Sequence, residues 1–208
     1  RKHNLIIFSD EIYDKVLYDQ SQHHCIAALA PDLFCVTFSG LSKNYRVAGF
    51  RAGWLLVSGN KKIAASYIEG LTILSSMRMC SNVPSQNAIQ TALGGYQSIN
   101  DLVTGSGRLL AQRDVSVEGL NNIPGISCVT PKGAMYCFAN VNAKKFNIKS
   151  DVNLVLDLLT QKKILLVHGS AFNLHDGCYF RLVFLPHKEV LAPALNDMYD
   201  FFQGYKQA

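Results

Sequence analysis

Val36–Trp54 reads VTFSGLSKNYRVAGFRAGW, and this segment decides the fold. It begins with a short apolar run at residues 36–38, which is typical of a buried strand. A Ser-Gly-Leu-Ser turn follows and leads directly into one lysine, Lys43. Arg51 comes eight residues after that lysine, between two glycines. We therefore expect a strand, then a loop that carries a lysine and an arginine, and then a neighbouring strand at residues 53–57.

Lys43 has two interpretations. A single lysine on a loop after a strand is ordinarily a solvated surface residue. A lysine packed among small and apolar residues loses its proton more easily, and the neutral amine is a nucleophile. Such an amine can bind an aldehyde cofactor covalently. A second stretch of sequence favours this chemical interpretation.

The second stretch is Leu5–Tyr13, which reads LIIFSDEIY. Its apolar run is typical of a buried parallel strand. Two carboxylates, Asp10 and Glu11, stand at the carboxyl end of that strand, where open α/β sheets bind ligands. Tyr13 follows three residues after Asp10. The sequence thus predicts an acid and a phenol at the same sheet edge as the Lys43 loop.

These residue types supply the parts of a pyridoxal phosphate site. Asp10 would form a charged hydrogen bond with the ring nitrogen, and Tyr13 would donate to the phenolic oxygen of the ring. Lys43 would hold the aldehyde and then move a proton in the reaction. Arg51 would bind the phosphate with its planar fork, which a lysine cannot imitate.

The motifs SDEIY, SGLSK and GFRAGW resemble the signature of the fold-type I, class I/II aminotransferases. The chain is similar throughout its length to the bacterial alanine-type members of that family. The resemblance implies that Asp10 and Tyr13 bind the ring, that Lys43 carries the cofactor, and that Arg51 binds phosphate. It also implies that Ser42 adds a hydroxyl to the phosphate site.

The chain departs from the family pattern in two places. Many relatives have a serine three residues before the lysine, and here that residue is Gly40, which leaves Ser39 as the candidate substitute. The chain also begins close to a core strand at Leu5, whereas relatives have a long N-terminal half before it. We therefore expect the C-terminal part of a longer enzyme.

Arg181 lies inside the apolar stretch CYFRLVFL, residues 178–185. A buried arginine is costly unless it is paired, so a structural salt bridge is the simple interpretation. The resemblance instead implies that Arg181 binds the α-carboxylate of the substrate. A bidentate fork suits the carboxylate of an amino acid and of a 2-oxo acid equally well.

The 208 residues have a formal net charge of +5, with 17% charged and 49% hydrophobic residues. This composition excludes a disordered chain, and the scattered charge does not indicate a nucleic-acid partner. The six cysteines show no zinc-ligand spacing, so we expect no metal and a reducing cytosol. No signal peptide and no apolar run of about 18 residues are found, which favours a cytoplasmic protein without a membrane span.

We expect an α/β fold in two domains. Residues 1–107 would form part of the mixed or parallel sheet of the large pyridoxal-phosphate domain, and residues 108–208 a connecting helix and a small α+β domain. A helix from Lys61 carries apolar residues at helical spacing that we expect in the core: Ile63, Tyr67, Leu71 and Leu74. The second domain would contain helices at 108–121, 151–162 and 186–205, a hairpin within 126–141, and strands at 164–167 and 178–185.

The predicted function is an aminotransferase that moves the amino group of alanine to 2-oxoglutarate through lysine-bound pyridoxal phosphate, in a homodimer when full length. Its partners would be a small amino acid and a 2-oxo acid. Two alternatives stay open. One is a lyase or synthase that uses the same lysine, and the other is a truncated, noncatalytic module that only binds the cofactor.

Overall fold

A computed structural model describes residues 1–208. The chain divides into two compact units, Arg1–Asn100 and Asp101–Ala208. The domain boundary predicted after residue 107 lies inside the second unit and stays a prediction. The strands are β1 (Ile7–Asp10), β2 (Cys35–Gly40), β3 (Gly53–Ser58), β4 (Ile126–Cys128), β5 (Tyr136–Val141), β6 (Val167–His168) and β7 (Cys178–Val183). The helices are α1 (Ile26–Leu29), α2 (Ala65–Arg78), α3 (Val83–Gly94), α4 (Asn100–Val103), α5 (Arg108–Asn121), α6 (Ala143–Phe146), α7 (Asp151–Lys162) and α8 (Lys188–Gly204).

The first unit contains a three-stranded mixed sheet in the order β1-β2-β3. β2 lies in the middle, parallel to β1 and antiparallel to β3. One face of β2 is apolar, because Val36 and the neighbouring Phe34 are buried there against Ala64, and Tyr67 and Ile68 of α2 pack on the same cluster. This packing fixes the sheet from one side and leaves the ends of β1 and β2 at one edge.

The core expected along α2 is only partly correct. Tyr67 and Leu71 are half-buried. Ile63 and Leu74 are 70% and 63% exposed, so the prediction that they belong to the core is wrong. Ile63 lies in the 3₁₀ turn Lys61–Ala64 before α2, so the α-helical spacing assumed from Lys61 does not apply to it. For Leu74, α2 packs on the sheet through one narrow stripe around Tyr67, and helical spacing alone does not give the width of that stripe.

The second unit is built on a four-stranded antiparallel sheet in the order β4-β5-β7-β6. Side chains alternate between its two faces with the period of a strand. Cys137 and Ala139 of β5 and Phe180 and Leu182 of β7 are buried on one face. The residues between them, among them Arg181, point to the opposite face and are half-buried or exposed.

The predicted α/β class, with a mixed sheet and a separate α+β part, is confirmed. The helices predicted at 108–121 and 151–162 are confirmed as α5 and α7. The strand predicted at 164–167 is wrong in its bounds, because only Val167 and His168 pair with β7. An apolar run indicates a strand but determines neither where the ladder of hydrogen bonds begins nor which side chains are covered. Leu165 is 76% exposed, and in the run before Asp10, which was expected to be buried, Leu5 and Phe8 are 70% and 59% exposed. No helix combines the length and the hydropathy needed to cross a lipid bilayer.

The close pairing of β2 with β3 gives a first prediction. Gly40 and Gly53 lie opposite each other, and a Cβ on Gly53 would lie 2.8 Å from the carbonyl oxygen of Ser39. We expect Gly53→Ala to lower the free energy of unfolding by about 1–3 kcal/mol, because backbone has to move. Urea denaturation measures the change.

Gly49→Ala is the matched control, since a Cβ there meets no atom within 4 Å. We expect it to change stability by less than about 0.5 kcal/mol. Equal stability of the two variants would contradict the close packing of β2 on β3.

Candidate active site

Asp10 and Tyr13 lie at the carboxyl end of β1. Asp10 is the last residue of the strand and is in register with Phe38 of β2. Its Oδ1 accepts the backbone N–H of Ile12 at 3.2 Å, which orients the carboxylate within the turn that follows. The side chain is exposed and has no cationic partner in the chain. It is therefore available to a ligand that carries a proton on nitrogen.

Lys43 lies in the turn directly after β2, next to Ser42. Its Nζ is 5.8 Å from the centre of the Tyr13 ring, so the structure brings these two predicted residues together. Lys43 is half-buried and has no carboxylate partner. The turn is closed by its own backbone, since Val47 N–H donates to the Leu41 carbonyl at 3.3 Å. Leu41 is fully buried and anchors the start of the turn.

Asn44 joins the two loops of the site, and its role was missed in the sequence. It is buried, and its Nδ2 donates to Asp14 at 2.5 Å while its Oδ1 accepts the backbone N–H of Lys15 at 3.2 Å. The residue next to Lys43 is thus tied to the loop that carries Tyr13. No feature of the sequence could show this contact, because the two loops are about thirty residues apart and Asn44 is typical of a turn.

Arg51 closes the Lys43 loop on the side of β3. The N–H of Leu41 donates to the carbonyl of Ala52 at 3.1 Å, so the arginine lies directly beyond the paired ends of β2 and β3. Its backbone is left-handed, with φ of 52°, which is uncommon for a residue with a side chain. Its Nη1 donates to the Ala48 carbonyl at 2.6 Å, and the exposed guanidinium also lines a cavity of about 920 Å³ with Gln86 and Gln90.

Glu11 is buried beneath this edge and organises the loop after β1. It accepts hydrogen bonds from Ser9 at 2.9 Å, from His23 at 2.9 Å and from the backbone of Ile26 at 3.1 Å. Burial alone would raise the pKa of Glu11, but the bonds from His23, Cys25, Ser9 and Ile26 outweigh it and hold the pKa below its ordinary value. Glu11 is therefore a structural carboxylate, unlike its neighbour Asp10.

Arg181 belongs to the second unit. Its guanidinium carbon lies 4.4 Å from the centre of the Tyr136 ring and 4.8 Å from that of Phe172. Nε is buried without a hydrogen-bond partner, and the side chain forms no ion pair in the chain. The structural salt bridge considered for this arginine is absent. Its hydrogen-bonding capacity is left for a ligand.

The donor set of the first unit fits pyridoxal phosphate. A carboxylate at the end of β1, a phenol and an amine side by side, and a guanidinium at the end of the loop are the groups that the ring nitrogen, the ring oxygen, the aldehyde and the phosphate require. Neither Asp10 nor Lys43 is neutralised by another side chain of the chain. Gly40 has no hydroxyl to offer the phosphate. Ser42, in the turn, carries the hydroxyl that is nearest in sequence to Lys43.

The chain is similar to known proteins over most of its length. A model of the family described as "Aminotransferase class I and II" matches residues 1–195. The chain is 57% identical over 207 residues to the glutamate-pyruvate aminotransferase AlaA of Escherichia coli K12, with 100% of this chain and 51% of that protein covered. It is 52% identical to an alanine aminotransferase of Mycobacterium bovis, with 100% and 48% covered.

Solved structures give the same result. The chain superposes on an aminotransferase from Escherichia coli with a TM-score of 0.97 at 57% identity, covering 100% of this chain and 52% of the other. It superposes on an alanine aminotransferase from Pyrococcus furiosus with a TM-score of 0.89 at 32% identity, covering 97% and 50%. The chain spans about half the length of the relatives it matches.

The environment of Glu11 gives a second prediction. A carboxyl whose pKa is lowered by folding stabilises the protein above the ordinary pKa of an unfolded glutamate, and this contribution is lost as the pH falls through the lower folded value. We expect Glu11→Gln to lower the free energy of unfolding by about 1–3 kcal/mol at pH 7. The difference from the parent should shrink as the pH falls below about 4.

Denaturation curves over a range of pH measure this difference. Asp32→Asn is the control, because Asp32 pairs with Arg1 on the open surface, where an ion pair contributes little. We expect no measurable change for it. A Glu11→Gln difference that stayed constant down to low pH would show that the charge of Glu11 is not the cause.

Proposed function

The chain belongs to the class I and II aminotransferase family. We propose that it acts in an aminotransferase of the alanine type that uses lysine-bound pyridoxal phosphate. Alanine and 2-oxoglutarate are the proposed substrates, with pyruvate and glutamate as products. The names of the relatives from Escherichia coli and Mycobacterium bovis support this choice. The observation that carries the proposal is the meeting of Lys43 with Tyr13 beside the carboxylate of Asp10.

Each residue of the first unit has a proposed task. Asp10 holds a proton on the ring nitrogen through a charged hydrogen bond. Tyr13 would donate a hydrogen bond from its hydroxyl to the ring oxygen. Arg51, assisted by Ser42, binds the phosphate. When bound, the cofactor supplies an electron sink that makes the Cα–H bond of the substrate acidic.

Lys43 is the proposed catalytic residue. Its amine would hold the cofactor through the aldehyde, and it is the group that would take up and give back the proton of the substrate Cα as general base and acid. The Tyr13 ring next to Nζ, and the ties of Asn44 to the neighbouring loop, limit where that amine can move.

Arg181 is proposed to bind the substrate α-carboxylate in a bidentate manner. Its missing ion pair and its unpartnered Nε support this role, because a buried N–H donor without an acceptor is costly unless a ligand supplies one. The same fork can bind an amino acid and then a 2-oxo acid. This matches a ping-pong exchange in which both substrates use one site. A cytoplasmic homodimer is the proposed state of the enzyme.

Lys43→Ala gives the third prediction. In protein extended to the length of its relatives, we expect the parent to gain the visible absorbance of bound pyridoxal phosphate, and borohydride to attach the cofactor irreversibly. Mass spectrometry of the digested protein should place the added mass on Lys43. Lys43→Ala should lose the attachment, because it removes the amine that lies 5.8 Å from the centre of the Tyr13 ring.

Lys61→Ala is the matched control, since Lys61 is exposed at the start of a 3₁₀ turn and should keep the attachment. Attachment that survives in Lys43→Ala would overturn the proposed role of this lysine. Product analysis of alanine with and without 2-oxoglutarate separates transfer from lyase chemistry. A product that forms without the oxo acid would favour the lyase or synthase alternative.

Arg181→Lys gives the fourth prediction. A lysine keeps the charge but cannot form two parallel hydrogen bonds, so we expect kcat/KM for alanine and for 2-oxoglutarate to fall about 10- to 100-fold. Steady-state kinetics measure both values. Arg108→Lys is the control, because Arg108 is exposed and donates to the Leu185 carbonyl. An equal effect of the two substitutions would contradict carboxylate binding by Arg181.

A further inference from the structure

The position of Arg181 depends on two aromatic rings. Its guanidinium carbon lies over Tyr136 and over Phe172 at 4.4 Å and 4.8 Å from the ring centres. A guanidinium packed on a ring face is attracted by the ring and donates its hydrogen bonds mainly within its own plane. The rings therefore set the direction in which the arginine can meet a carboxylate.

The two rings are held in different ways. Tyr136 is the first residue of β5 and is in register with Val183 of β7, so the sheet fixes its backbone. Phe172 is the last residue of the 3₁₀ turn Gly169–Phe172, outside any strand, and it is 44% exposed. A half-exposed ring on a short turn keeps its place only if the turn itself is held. Its edge-to-face contact with Phe138, at 5.6 Å, supports the ring from one side.

Asp151 holds this turn with both carboxylate oxygens. Its Oδ2 accepts the backbone N–H of Ser170 at 2.7 Å, and its Oδ1 accepts the Ser170 hydroxyl at 2.9 Å. His168 adds to the same cluster, because its Nδ1 lies 2.7 Å from the Ser170 hydroxyl and accepts the N–H of Ala171 at 3.1 Å. Burial raises the pKa of Asp151, but the two bonds from Ser170, the charge of His168 and the backbone bond from Val152 together outweigh it and lower the pKa.

The helix that begins at Asp151 is capped by the residue before it. Asp151 is the first residue of α7, and the preceding Ser150 already caps that helix by accepting the N–H of Asn153 at 3.3 Å. Both oxygens of Asp151 accept hydrogen bonds from Ser170 of the turn. The turn is also tight against β7, since a Cβ on Gly169 would lie 2.8 Å from the Cβ of Tyr179. If Ser170 shifts, the turn has no room to move toward β7 at Gly169. We therefore expect the shift to move the other end of the turn, at Phe172.

We propose that Asp151 and Ser170 are positioning residues that hold Phe172 over Arg181 and so set the affinity of the arginine for the substrate carboxylate. Neither residue touches the substrate in this scheme. They act through the backbone of the turn and the Phe172 ring. The functional part of this inference rests on the proposed role of Arg181, whereas its structural part does not.

Ser170→Ala tests the inference, with Ser170→Thr as the variant that keeps the hydroxyl. In the 208-residue chain, the side-chain Nε–H signal of Arg181 in a ¹⁵N-edited NMR spectrum reports the ring current of Phe172 and Tyr136. The signal is assigned by its loss in Arg181→Lys. We expect it to move toward the position of an unstacked arginine in Ser170→Ala and to stay near the parent position in Ser170→Thr.

Kinetics in protein extended to the length of its relatives give the second readout. We expect KM for alanine and for 2-oxoglutarate to rise about tenfold in Ser170→Ala, with kcat within about twofold, because substrate binding and not the proton transfer is weakened. Phe172→Leu should do the same without altering the turn, and Phe172→Tyr, which keeps the ring, should behave like the parent. These two variants keep the test valid if Ser170→Ala does not fold.

Three results would overturn the inference. An unmoved Arg181 signal in Ser170→Ala would show that Phe172 and Arg181 keep their positions without the hydrogen bond from the Ser170 hydroxyl to Asp151. A shifted signal with unchanged KM would show that the bond between Asp151 and Ser170 holds the structure but does not affect substrate binding. A fall in kcat at constant KM would place its effect on the chemical step. If Arg181→Lys itself leaves KM unchanged, the proposed role of Arg181 fails, and the signal shift still decides the structural part.

Discussion

The central position of β2 is the constraint on which the first unit depends. Because β2 is parallel to β1, the carboxyl ends of the two strands meet at one edge, and Asp10 stands beside the start of the Lys43 turn. Because β2 is antiparallel to β3, the chain has to reverse between them, and the Lys43 loop is that reversal. The opposed glycines Gly40 and Gly53 let the two backbones approach where the loop begins and ends. One strand with two kinds of neighbour thus determines where the acid, the amine and the guanidinium lie.

The side chains of the two candidate binding regions are held in place in different ways. In the first unit, loops are tied by buried polar side chains: Asn44 links the loops after β1 and β2, and Glu11 gathers donors from Ser9, His23 and Ile26. In the second unit, the arginine is held by ring faces on an open side of the sheet, where there is no carboxylate to hold it. A carboxylate partner would position Arg181 equally well but would compete with the substrate for the same donors. Aromatic rings orient the cation and leave its N–H groups available.

Much of this arrangement could be predicted from the sequence. The apolar runs before Asp10 and before Lys43 predicted strands, and the spacing of Lys43 and Arg51 predicted a loop that carries both. The contacts that hold the loops could not be predicted, because the bonds of Asn44 to Asp14 and of Ser170 to Asp151 join residues distant in sequence through ordinary turn-forming side chains. The exposure of Ile63 and Leu74 was also missed, since periodicity identifies the apolar face of a helix but not what covers it.

The buried, unpartnered Nε of Arg181 shows how the stability of the chain and its chemistry are related. A donor withdrawn from water without an acceptor within the chain costs free energy, and Nε of Arg181 is such a donor. Contacts elsewhere in the same unit offset it, among them the buried residues of β5 and β7 on the opposite face of the sheet. A carboxylate that reached Arg181 would supply the missing acceptor and a negative charge. The free-energy cost of the unpartnered Nε would then be removed on binding and would add to the binding free energy. In its proposed role the arginine would be selective for this reason, because a ligand without the planar anion would leave the cost in place.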